Sequence, residues 1–166
     1  MSDTAMGATS PTTAADRELV IERVFNAPRE LVFQAFSSPE HLVHWWGPKG
    51  WTLPVCEQDF RPGGTWLYCM RGPNGEDGWG KGIYHEIVPP EKIVYTDYFV
   101  DAEGNPLPGM PEMVNTLTFI EVDGKTRFIS LTVFATAAER EATLAMGAIE
   151  GFNQTLDRLE AYLTHL

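Results

Sequence analysis

The sequence predicts an α+β fold: a curved, seven-stranded antiparallel sheet wrapped around a long C-terminal helix, with two short helices after the first strand. Three observations predict it. Six β-rich runs follow one another between residues 52 and 135, separated by turn residues. Short connections of this kind join antiparallel neighbours. The last segment, Ala137 to about Leu163, repeats apolar residues at alternating spacings of four and three, one face of a helix. A striped helix and a one-faced sheet bury each other.

The elements follow in order. Ser, Thr, Ala and Gly dominate Met1 to Asp16, which reads as a disordered tail. Residues 17–166 then form one domain. Arg17 to Asn26 is a β-rich run suited to a first strand. Ala27-Pro28 opens a helix, since proline fits the first turn, with Glu30 favourable for the helix dipole. Ser38-Pro39-Glu40 restarts it, with Ser38 as N-cap, and Trp46-Gly47-Pro48 stops it. The expected strands are Thr52 to Phe60, Thr65 to Arg71, Trp79 to Val88, Lys92 to Val100, Val114 to Val122 and Thr126 to Ala135. Turn chemistry at Pro62-Gly63-Gly64, Pro73-Asn74-Gly75, Pro89-Pro90 and Asp123-Gly124 separates them. The longer connection Asp101 to Met113 reads as a binding loop or gate.

Along the last helix the stripe is Ala145, Ile149, Phe152, Leu156, Leu159, Leu163 and Leu166. A coiled-coil seam would look similar, but the preceding strands supply a sheet for one helix to cross. Gly147 and Gly151 each cost helix stability, about 1 kcal/mol against alanine. Either a strand approaches closely there, or the glycines leave room for a ligand.

Composition narrows the function. Apolar residues make up 43% of the 166, enough for a sizeable core. No run approaches the roughly 18 apolar residues of a membrane span. No secretory signal is evident, so a cytoplasmic location is expected. Twelve Lys and Arg face 23 Asp and Glu, a formal net charge of −11. Nucleic acid or an acidic membrane surface would be repelled. A small apolar or aromatic molecule remains compatible as a partner, and a homodimer is also admitted. Cys56 and Cys69 flank the Pro62-Gly63 turn, so a simple hairpin would set them on neighbouring strands. Two reduced thiols are expected there, with a redox pair as the alternative.

Three of the five tryptophans, Trp45, Trp46 and Trp51, cluster after the second helix. Large aromatic side chains so placed suggest the wall of a core or pocket. The expected cavity lining is Trp45, Trp46, Trp66, Tyr84, Tyr95, Phe119, Phe152 and Leu156, with the loop around Met110 as gate.

The chain resembles the START-like (SRPBCC, helix-grip) superfamily, and within it the bacterial activator-of-heat-shock-protein-90-ATPase-like family. The signatures are Phe25-Asn26-Ala27-Pro28-Arg29-Glu30-Leu31-Val32-Phe33, Trp45-Trp46-Gly47-Pro48 and Asp59-Phe60-Arg61-Pro62-Gly63-Gly64. Others are Gly82-x-Tyr84-x-Glu86-Ile87, Pro90-Glu91-Lys92-Ile93-Val94-Tyr95, and Glu150 to Leu159. Phe152 stands where that last signature usually has Trp. The resemblance implies a cavity between sheet and C-terminal helix that binds a small apolar or aromatic ligand. It also admits a cyclase-, aromatase- or hydrolase-like enzyme, and thirdly a co-chaperone-like interaction. Its name does not transfer an activity, because one fold hosts many functions.

The residues themselves point to binding rather than catalysis. His41 and His44 stand three apart on a helical pattern, but no further metal ligand joins them at a recognisable spacing. Neither a metal nor a cofactor is expected. His85 and Asp97 are the catalytic candidates. Strand alternation sends His85 to the face opposite Tyr84 and Glu86, and groups Asp97 with Tyr95 and Phe99. A buried Asp97 would have a raised pKa and suit a general acid. Asp59 and Arg61 read as a surface ion pair. The Asn153-Gln154-Thr155 sequon falls in mid-helix and is discounted.

Overall fold

The computed structural model describes residues 14–166. A 3-10 turn, Ala14–Arg17, leads into β1 (Glu18–Phe25), α1 (Arg29–Gln34) and α2 (Pro39–Leu42). Then come β2 (Thr52–Gln58), β3 (Thr65–Arg71), β4 (Asp77–Val88), β5 (Lys92–Phe99), β6 (Glu112–Val122) and β7 (Lys125–Phe134). Helices α3 (Ala137–Ala145) and α4 (Ala148–Leu163) close the chain. One seven-stranded sheet runs β1-β7-β6-β5-β4-β3-β2, with every neighbouring pair antiparallel. The meander from β2 to β7 and the two short helices are as the turn residues predict. Because β1 pairs with β7, α1 and α2 carry the chain from one sheet edge to the other.

The core is aromatic. Phe36 stacks on Phe128 and meets Trp45 and Phe119 edge-on, while Phe33 meets Phe119. Leu156 and Leu159 of α4 are completely buried against this cluster. The expected docking of α4 by its stripe holds for these two and Leu163. It fails at the ends, where Ala145, Ile149 and Leu166 are exposed.

A second attachment holds α4, and it involves the Trp-Trp-Gly-Pro turn. Arg158 Nη1 donates to the carbonyls of Gly47 (2.9 Å), Trp51 (3.1 Å), Pro48 (3.3 Å) and Trp46 (3.4 Å), and Nη2 to that of His44 (3.4 Å). The backbone N–H of Lys49 donates to Gln154 Oε1 at 3.2 Å. A Cβ on Gly151 would lie 3.7 Å from the Pro48 ring, so this glycine faces the turn. Neither of the uses expected for the glycine pair, a close strand or ligand space, applies to Gly151.

Several expectations are corrected. The tail expectation lies outside the described residues for 1–13, and Ala14 to Asp16 belong to the 3-10 turn. Ser38 is the N-cap residue of α2, but its hydroxyl makes no capping bond. The C-terminal helix is not continuous. Gly147 takes φ +84° between α3 and α4, a left-handed conformation open to glycine, and ends α3. The cysteines are one residue out of register: Cys56 pairs with Tyr68, and Cys69 with Val55. Their side chains therefore project to opposite faces, and both are free thiols. A bulge at His85 sets Tyr84 opposite Tyr95 and Glu86 opposite Val94. Tyr84 is buried while Glu86 is exposed, so the bulge splits a pair expected on one face.

Arg158→Met should cost about 1.5–3 kcal/mol, the range for hydrogen bonds to a charged group. Arg158→Lys should recover only part, since an ammonium cannot reproduce the guanidinium fork. Urea midpoints measure both; an unchanged midpoint for the Met variant would mean that the turn is held by other contacts.

Candidate functional site

The site begins with the composition of one strand. Gly78, Gly80 and Gly82 alternate along β4 and pair with Met70, Tyr68 and Trp66 of β3. Alternation puts all three glycines on the inner face, which is thereby stripped of side chains. Aromatic side chains of β3 lie across the bare strand. A Cβ on Gly80 would collide with the Tyr68 ring, and one on Gly82 would lie 3.3 Å from Tyr95 Cδ2 and 3.6 Å from Trp66 Cε3. Tyr68 thus reaches over β4 to β5, where its hydroxyl lies 3.1 Å from both carboxylate oxygens of Asp97. No acceptor among the described residues meets the buried indole N–H of Trp46, whose ring packs against that of Trp66. These two rings pack edge to face at 4.7 Å.

Asp97 adjoins two recesses. One, about 140 Å³, lies between the sheet and the α3–α4 junction. Trp46, Tyr95 and Phe152 are its aromatic walls, and Leu19, Ile21 and Phe134 its aliphatic and remaining aromatic side. Asp97, Asn115, Ser130 and Thr132 bring polar atoms to it. Thr132 donates to Asn115 Oδ1 at 2.7 Å, and Asn115 Nδ2 donates to the Met113 carbonyl at 3.3 Å. The other recess, about 200 Å³, is bordered by Tyr68, Met70, Gly78, Phe99 and Leu107. Asp97 and Met113 border both. A larger open groove, about 360 Å³, lies elsewhere, among Glu57, Asp59, Lys81 and Glu103. It has no aromatic wall.

Burial pushes the Asp97 carboxyl up to about 7, although the Tyr68 hydroxyl and the Tyr98 backbone N–H pull it down. The Tyr68 and Tyr95 phenols are raised well above their ordinary value, first by burial and next by the charge on Asp97.

The structure brings together Trp46, Tyr95, Phe152 and Asp97 of the expected site. It separates the others. Trp45 is fully buried against Phe36, its indole N–H donating to Ala35 at 3.1 Å. Phe119 and Leu156 are solid core. Trp66 stands behind Trp46, and the Tyr84 hydroxyl accepts from Gln58 at 2.8 Å. Met110 is 39% exposed and borders neither recess; Leu107 and Met113 of that segment do. His85 is exposed on the outer face, its Nε2 2.6 Å from Thr96 Oγ1, so it does not reach the cavity. His41 Nδ1 lies 2.7 Å from the Tyr162 hydroxyl and His44 stacks on the same ring. Asp59 and Arg61 form the exposed ion pair at 2.8 Å. Sequence reasoning missed the polar set of Asn115, Ser130 and Thr132. It also missed the glycine row, whose period-two spacing in a strand is a readable signal.

Two outcomes follow. Gly80→Ala should destabilise by about 1–3 kcal/mol, the usual range for overpacking, and displace Tyr68 from Asp97. Gly78→Ala, whose Cβ meets nothing within 4 Å, should cost far less. Equal urea midpoints for the two would refute the bare-strand account. Asp97 binds its proton more tightly folded, near 7, than at the ordinary carboxylate value of 3.8. Its stabilising contribution is complete below the lower value and is lost as pH rises through the upper one. Asp97→Asn should therefore gain stability relative to the parent between about pH 4 and pH 8. A difference between the two proteins that does not change with pH would show that Asp97 titrates normally.

The comparisons agree with this architecture. The family model for Activator of Hsp90 ATPase homolog 1-like protein matches residues 26–164. A crystal structure from Mycobacterium smegmatis is 33% identical, covers 88% of this chain and 90% of its own, and superposes with a TM-score of 0.82. A solution structure from Staphylococcus epidermidis is 31% identical over 90% of each chain, with a TM-score of 0.78. A crystal structure from Nitrosomonas europaea is 27% identical over 91% of this chain and 96% of its own, at 0.81. No curated protein matches the chain. The fold is thus the START-like helix-grip, a ligand-binding type of domain, and the chain belongs to the Activator of Hsp90 ATPase homolog 1-like protein family.

Proposed function

We propose that the chain binds a small apolar or aromatic molecule between the sheet and the α3–α4 junction, without chemistry of its own. The recess of about 140 Å³ beside Phe152 carries this reading. An engineered apolar cavity of about 150 Å³ takes up benzene, so the scale suits one ring. Aromatic walls with a few convergent polar atoms favour burial of such a ring and fix its orientation. Residues 17–166 act in this reading as one domain, in the cytoplasm, where Cys56 and Cys69 persist as thiols. Among the described residues no helix is long and apolar enough to cross a membrane.

One observation favours a second reading, an enzyme of cyclase or hydrolase type: Asp97, at about 7, is poised to exchange a proton near neutral pH. Such a reaction also asks for a nucleophile or a second acid–base group in contact. His85, the other catalytic candidate, lies on the outer face. A co-chaperone-like contact draws on the family description alone and ranks third.

Toluene titrated into the protein should produce saturable NMR shifts at Trp46, Tyr95 and Phe152, and should be recovered unchanged. Ala148→Phe, which adds a ring at the α4 end of the recess, should abolish them. No saturable shift in the parent protein would sink the binding reading, and any Asp97-dependent product formed from a cyclisable or hydrolysable analogue would replace it with the enzyme.

A further inference from the structure

The charged side chains that line the two recesses are of one sign. Asp97 borders both recesses, and Asp77 stands at the second, already paired with Arg71 at 2.8 Å. Neither recess has a lysine, arginine or histidine in its lining. Asp97 makes no salt bridge among the described residues; its polar contacts are the Tyr68 hydroxyl and a backbone N–H. A carboxylate so placed is short of positive charge.

Its surroundings suit a cation. Tyr95 shares the inner face of β5 with Asp97, and Trp46 and Phe152 complete that wall. Aromatic faces attract cations through the negative charge of their π clouds, Trp most strongly. Tyr95 is 6% exposed, and its hydroxyl has no hydrogen-bond partner among the described residues although the residue lines the recess. It stands ready to accept from an N–H donor.

We infer that the ligand is a protonated amine on a single apolar or aromatic ring, its ammonium held between Asp97 and the Tyr95 and Trp46 faces. This rests on the binding reading above and narrows it. The same arrangement works against a carboxylate ligand, which would face Asp97 with no counter-charge. A neutral alcohol would bury the same ring but make ordinary hydrogen bonds.

Three probes of matched shape separate the cases: 2-phenylethylammonium, 2-phenylethanol and 3-phenylpropanoate, each titrated by tryptophan fluorescence and calorimetry. The ammonium should bind roughly tenfold more tightly than the alcohol, the difference between a charge-assisted and a neutral hydrogen bond. The carboxylate should bind most weakly. Asp97→Asn should erase the ammonium's advantage over the alcohol, and a cooperative urea transition for the variant shows that it is folded. Alcohol binding as tight as ammonium binding, or an advantage that survives Asp97→Asn, overturns the amine assignment and leaves the cavity reading standing. If none of the three probes binds, the cavity reading falls and the amine assignment falls with it.

Discussion

The bare inner face of β4 is the constraint from which the rest of the cavity follows. Three glycines at alternate positions remove one strand's worth of side chains from the concave side. Aromatic rings from β3 fill part of that space by lying across the strand, and so contact residues two strands away. Glycine is a poor strand former, losing both packing and backbone entropy. Here the loss is offset by ring surface covering the exposed backbone. The remaining space is where Asp97 and its recesses lie. A side chain at Gly80 would return β4 to an ordinary inward-facing strand and leave Tyr68 nowhere to rest.

Asp97 shows how burial and polarity are balanced in such a place. An isolated carboxylate inside an aromatic wall is unfavourable. One phenol and one backbone N–H compensate in part, and the residual penalty appears as a raised pKa. A structural carboxylate would normally be given an arginine or more donors. The chain uses its arginines elsewhere, on Asp157, Glu22 and Asp77 at the surface and on the Trp-Trp-Gly-Pro turn.

Much of the fold was legible because turn residues and periodicity are local. Thr65–Arg71 is found at its expected bounds, and each of the other strands within two residues. Trp46, Tyr95 and Phe152 could be placed at the cavity because an aromatic cluster, a strand face and a helix stripe each named one of them. What failed is non-local. Alternation says that Trp66, Tyr84 and Phe119 face inward, but whether neighbours fill the space around them depends on side chains from other strands. The bulge at His85 adds one residue and changes the strand's phase, which no pattern within β4 announces. Gly147 was visible as a helix cost, yet its left-handed turn depends on how α3 and α4 each find the sheet. The polar atoms of Asn115, Ser130 and Thr132 looked like ordinary strand residues, because their shared destination appears only once β6 and β7 are paired.

The clamp between Arg158 and the Trp-Trp-Gly-Pro turn has an uneven tolerance to mutation. All of its acceptors are backbone carbonyls, so replacing a side chain at 44, 46 or 51 leaves each acceptor chemically intact. The donors all belong to one guanidinium. Sequence drift in the turn is therefore limited by shape alone, through the positive φ of Gly47 and the packing of Trp46. Drift at position 158 removes all five of the guanidinium's bonds at once. A helix and a loop more than a hundred residues apart in the chain thus depend on one guanidinium for five hydrogen bonds, beside the bond from the Lys49 N–H to Gln154 Oε1.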